Sequence, residues 1–89
     1  MQISEVQIKL TKPKDGLVGF ASLVIDNSLY LSSIGIFTKL DRTGYRITYP
    51  TRKVGELDMQ IFHPINKEFG KEIEVAIIEK VNAIFNENT

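Results

Sequence analysis

The sequence predicts an α+β fold: an antiparallel β-sheet of four or five strands followed by one C-terminal amphipathic α-helix packed on the sheet. Three observations predict it. Short apolar runs with strand character, separated by turn chemistry, fill the first two-thirds of the chain. The period then changes, and Phe69, Ile73, Ala76, Ile77, Val81 and Ile84 fall on one stripe of a helix. Finally, 89 residues with 43% hydrophobic and 25% charged content can bury one modest core but not two, so residues 1–89 form a single domain.

Taken in order, "VQIKL" sets Val6, Ile8 and Leu10 on one side and Gln7 and Lys9 on the other, the pattern of a half-buried strand. Lys14-Asp15-Gly16 is a turn, because glycine tolerates positive φ and aspartate bonds nearby amides. "LVGFASLVID" is nearly continuously apolar, which places it centrally in the sheet, and Asp26-Asn27-Ser28 joins it as a hairpin to "LYLSSIGIF". After the turn "TKLDRTG", "YRITY" puts Tyr45, Ile47 and Tyr49 on one face and Arg46 and Thr48 on the other. Pro50 stops this strand, since it cannot donate to a ladder. "TRKVGEL" reads as an exposed hairpin loop around Gly55, and "DMQIF" as a last short strand with Met59 and Ile61 facing one way. His63-Pro64 ends it, because a residue before proline is held extended, and Asn66 caps a helix expected over residues 67–85. Glu68 in the first turn suits the helix dipole, and Gly70 implies a close contact or a frayed start.

Packing the helical stripe on one sheet face leaves the other face and an edge strand uncovered, and so small a core has little surplus stability. A homodimer is the expected remedy. No cysteine is present, which excludes disulfides and thiolate metal sites and fits a cytoplasmic location. No apolar stretch is long enough for a membrane span, and "MQISEVQIKL" lacks a signal-peptide core, so the chain reads as mature and soluble. The formal charge is zero, but eight basic and four acidic side chains fall in residues 1–53, against three basic and seven acidic in residues 54–89. Such an asymmetry polarises the surface unless the fold interleaves the two halves.

Little else suggests catalysis. One histidine cannot build a zinc site, no Gly-x-Ser-x-Gly turn presents a nucleophile, and the glycines form no phosphate-cradling loop. No metal, cofactor or enzymatic activity is expected. His63, Pro64 and Asn66 read as a structural joint, with the imidazole shaping the corner. Arg52 and Lys53, adjacent on an exposed loop, are candidate phosphate contacts, with Arg42 and Arg46 on neighbouring elements, although the residues alone favour the simpler reading of a solvated hairpin tip. Tyr45 and Tyr49 read as core or interface, or else as stacking platforms.

The order of a strand-rich half, "PTRK" at 50–53, "IFHPIN" at 61–66 and an amphipathic helix resembles the SpoVG family, small bacterial proteins named for septation and stage V sporulation. The family's joint reads I-A-H-P-I-N, so Phe62 stands here for a small residue, and its P-S-K-R loop appears with the cations exchanged in order. "SEVQIKL" and "ASLVID" resemble its first two strands. The loop after the basic pair is one residue shorter, and Met59-Gln60 replaces an Arg-Asp pair. The resemblance implies a homodimeric regulator without enzymatic activity that binds DNA and, in some members, RNA. It implies DNA contact at Arg52 and Lys53 and sequence preference from the helix start, which carries Lys67 and Lys71. A protein-interaction module serving a cell-division or regulatory partner is the alternative expectation.

Overall fold

A computed structural model describes residues 1–41 and 43–87 of the chain. Strands β1 (Ile3–Lys14), β2 (Leu17–Ile25), β3 (Leu29–Thr38) and β4 (Tyr45–Thr48) form an antiparallel meander in the order β1-β2-β3-β4. Strands β5 (Thr51–Val54) and β6 (Leu57–Gln60) form a separate two-stranded ribbon, and helix α1 (Lys67–Glu87) closes the chain.

The turns explain the register. Asp15 and Gly16 both sit at positive φ between Lys14 and Leu17, the mirror-image turn whose twist matches a hairpin. Asp26 and Asn27 repeat this between β2 and β3, with the Ser28 amide donating to the Ile25 carbonyl at 2.9 Å. Asp26 also fastens the start of β1, because its Oδ1 accepts the Gln2 amide at 2.7 Å.

One side of the sheet holds the core. Ala21, Leu23 and Ile25 of β2, Ile34 and Ile36 of β3, and Ile73, Ile77 and Val81 of α1 are buried together. Ile8 on β1 and Ile47 on β4 flank them, paired with Ala21 and Ile36. Tyr45 stacks on Phe85 near the end of the helix, ring centroids 5.9 Å apart and planes within 7°. Tyr49 meets Phe62 edge-on, also at 5.9 Å. The tyrosines at 45 and 49 therefore pack the body, and Phe62 packs its ring against that of Tyr49.

The fold class is the expected one, and β2 is central as its composition suggests. Two details differ. Six strands form two sheets where four or five in one sheet were expected, and residues 51–54, read as a loop, are a strand. Pro50 cuts β5 from β4, and the two-residue Gly55-Glu56 turn, with Gly55 at φ 66, folds β5 directly onto β6. The helix also continues two residues past the expected end, to Glu87.

The joint is built as its residues suggest. Asn66 Oδ1 accepts the Phe69 amide at 3.0 Å, an N-cap bond. Gly70 is the close contact: a Cβ there would stand 3.2 Å from Pro64 Cγ.

Candidate nucleic-acid interface

Arg52 and Lys53 lie in the ribbon, which is exposed along all eight of its strand residues. Adjacent residues of a strand face opposite ways. Arg52 pairs with Met59 and shares a face with Val54 and Leu57, whereas Lys53 pairs with Asp58 on the face of Thr51 and Gln60. The two cations are thus neighbours in sequence and on opposite sides in space. The Arg52 face is otherwise apolar: Val54, Leu57 and Met59 are 42%, 68% and 52% exposed. The ribbon is rooted in the body through Pro50 and Ile61, where the Ile61 amide donates to the Pro50 carbonyl at 2.8 Å.

Arg46 belongs elsewhere. It stands on the sheet face opposite the helix, its guanidinium 4.7 Å from the centre of the Phe37 ring. Lys67 and Lys71 rise from the first turns of the helix, on the covered side of the sheet. They border a shallow groove with Ile47, Tyr49, Pro64 and Glu74, and Lys71 Nζ approaches Glu74 Oε1 at 4.0 Å. Arg42 lies outside the described residues. The structure therefore brings Lys67 and Lys71 together and separates Arg46, Arg52 and Lys53 onto three different surfaces.

Around the joint, His63 is exposed and its Nδ1 lies 3.2 Å from the Pro64 carbonyl oxygen, a contact within the corner itself. Beside it opens an apolar cavity of about 280 Å³ whose lining includes Ile25, Leu29, Tyr49, Phe62 and Phe69. Tyr49 is half-buried there, and burial, with the Glu74 carboxylate as a lesser cause, pushes its phenol above the usual value of 10.0. Among the described residues no group of three or more His, Cys, Asp or Glu side chains is placed to hold a metal ion. Among the described residues no helix is long and apolar enough to cross a membrane. Sequence reasoning missed the apolar side of the ribbon; its signal is the alternation of Leu57, Met59 and Ile61, to which Val54 and Arg52 are added only once the pairing is known.

Residues 1–83 match the SpoVG family model. The chain belongs to the SpoVG family. It is 32% identical over 90 residues to the SpoVG of Finegoldia magna, covering 100% of this chain and 82% of that protein. It is 30% identical over 87 residues to that of Caldicellulosiruptor saccharolyticus, covering 97% of each, and 31% identical over 91 residues to that of Clostridium novyi, covering 100% of this chain and 88% of that protein. All three SpoVG relatives are named for septation.

Proposed function

We propose that the chain is a cytoplasmic, homodimeric, nucleic-acid-binding regulator without enzymatic activity, and that its projecting ribbon serves both association and binding. The observation that supports this reading is the exposed, two-sided ribbon. A two-stranded hairpin alone is marginal in water and needs a covering surface. The row of Val54, Leu57, Met59 and Ile61 supplies an apolar face, and the cavity beside Tyr49 and Phe62 supplies another. A symmetric exchange, in which each ribbon lies over the cavity of the second copy, covers both surfaces at once. Lys53 then faces outward, and Arg52 keeps its guanidinium at the border in water while its stem covers Met59. A ribbon of this width enters the major groove of DNA, where paired cations from two protomers meet phosphate. The process served is the septation for which the relatives are named.

The test is duplex binding titrated with salt. The affinity of the unaltered protein falls as salt rises, because bound phosphates release counterions. Arg52→Ala with Lys53→Ala lowers affinity at low salt about tenfold or more and flattens the salt dependence, each lost phosphate contact reducing the slope by about one. Affinity indifferent to salt and to both substitutions rules the reading out.

The separation of Arg46, Arg52 and Lys53 onto three surfaces favours a second reading, a module that binds a cell-division or regulatory protein through the same apolar row. Under that reading duplex affinity is weak in the unaltered protein, and substitutions at Leu57 and Met59 matter where those at Arg52 and Lys53 do not.

A further inference from the structure

The helix covers one side of the sheet, and the other side is open. Ladder register places Lys9 beside Phe20, Lys14 beside Leu17, Tyr30 beside Val24 and Arg46 beside Phe37, all on the open side. Among the described residues, the paired positions of this face carry three cations and no carboxylate, whereas Glu68, Glu72, Glu74 and Glu79 ride on the helix behind the sheet. Lys67, Lys71 and Lys80 ride on the helix too, and Asp15 borders Phe37 and Arg46 at one end of the open side, so the charge asymmetry of the sequence survives folding in part, as a face that is basic on balance and a helix with an acidic excess. Phe20 is 39% exposed and Tyr30 66%, while Phe37 lies half-buried beneath Arg46.

A glycine and a bulge shape the floor of this face. Gly35 sits between Phe20 and Thr48, and a Cβ there would come within 2.7 Å of Thr48 Oγ1 and 3.2 Å of the Phe37 ring. Its bare backbone lets the ring lie across the strand. Farther along, the β2–β3 register shifts between Ala21 and Leu23, and Ser33 on β3 stands at φ 64. Such bulges bend a strand and re-aim its side chains. Here they leave a cavity of about 380 Å³ that has Phe20 and Tyr30 among its walls and Gln7, Lys9, Ser22 and Ser32 as its polar lining.

We propose that this open sheet face binds single-stranded nucleic acid, seating a base in the cavity lined by Phe20 and Tyr30 while Lys9, Lys14 and Arg46 neutralise the flanking phosphates. Exposed rings combined with cations along a groove fit single strands, because bases are free to stack on side chains only when they are unpaired. An acidic peptide would use the cations but not the rings. Amide and hydroxyl groups at Gln7, Ser22 and Ser32 offer both donors and acceptors to a base edge. The inference rests on the nucleic-acid reading above, but it places single strands on a different surface from the ribbon.

Binding of the full-length protein to a labelled 12-nucleotide single strand, as DNA and as RNA, is measured beside binding to a 20-base-pair duplex. Tyr30→Ser and Phe20→Ile each weaken single-strand binding fivefold or more and leave duplex binding within twofold. Tyr30→Phe, which keeps the ring, retains single-strand affinity. Lys9→Ser, at an exposed position, weakens single-strand binding and reduces its salt dependence, which covers the case in which Phe20→Ile disturbs the sheet. The RNA and DNA arms identify which strand is preferred. Single-strand affinity unchanged by Tyr30→Ser and Lys9→Ser overturns the proposal. So does a change of oligomeric state in Tyr30→Ser without loss of single-strand binding, which would make the face an interface between copies. If Arg52→Ala with Lys53→Ala abolishes both kinds of binding while Tyr30→Ser affects neither, the sheet-face proposal fails and the ribbon reading stands. If the unaltered protein binds neither nucleic acid, both fail.

Discussion

Asn66 carries the transition from ribbon to helix on one side-chain oxygen, which takes the Phe69 amide that the first helical turn would otherwise leave without a partner. Asn66→Ala should cost about 1 kcal/mol in a urea titration, the ordinary value of an N-cap, with helix content in the folded state preserved. Tyr49 tests the neighbouring packing through pH. Its pKa is raised in the folded protein, chiefly by burial, so the unfolded chain gives up the phenol proton more readily. The stabilisation linked to the neutral phenol is whole below pH 10 and is lost as pH climbs from there through the folded pKa. Thermal midpoints should therefore fall more steeply above pH 10 in the unaltered protein than in Tyr49→Phe. At this scale the sequence was informative where a residue has one local job. The Asn66 cap, the close contact at Gly70 and the packing of Tyr45 and Tyr49 follow from residue type and spacing. The directions of Arg52 and Lys53 do not, because they depend on whether residues 51–54 are loop or strand.

That question is settled one level up, by pairing. "TRKV" has no alternation of its own to mark it as a strand; its strand character comes from Leu57–Gln60 across a two-residue turn. The ribbon is a satellite of the body, touching it where β5 and β6 leave it, so changes at its apolar row should be felt in association and little in the fold. Under the proposed association through the ribbon, Leu57→Lys with Met59→Lys should convert a dimer to monomer by light scattering after size exclusion. Far-ultraviolet circular dichroism should stay the same, and single-protomer stability should change by no more than about 0.5 kcal/mol, as expected of exposed sites. A dimer that persists would remove the ribbon from the interface. The main sheet was easier to read than the ribbon, since Asp15-Gly16 and Asp26-Asn27 are strong hairpin signals. Its bulges were harder. The shift between Ala21 and Leu23 puts its extra residue in β3, whereas β2 itself alternates, with Ala21, Leu23 and Ile25 buried and Phe20 on the open side, an alternation that a nearly continuous apolar run does not announce.

For the whole molecule, the sheet separates charge in part: Lys9, Lys14 and Arg46 stand on one face, and the helix, in which acidic side chains outnumber Lys67, Lys71 and Lys80, lies on the other. Near a polyanion such a body turns its sheet forward and its helix away before any contact forms, which raises the productive fraction of encounters at low salt. The sequence shows the imbalance between its two halves, but only the fold shows that they lie back to back. The candidate site is likewise less legible than the architecture, because a surface gathers residues distant in sequence, and Lys9, Phe20 and Tyr30 meet only through strand register. The meander order has a further consequence, in time. Each strand of β1-β2-β3-β4 pairs with the one just made, so loop closures are short and the sheet can assemble while the chain is still leaving the ribosome. The helix is synthesised after the sheet. Until it docks, the face of Ala21, Leu23, Ile25, Ile34 and Ile36 stands open to water, and that interval is when a nascent chain of this design is most exposed to aggregation and most in need of a chaperone.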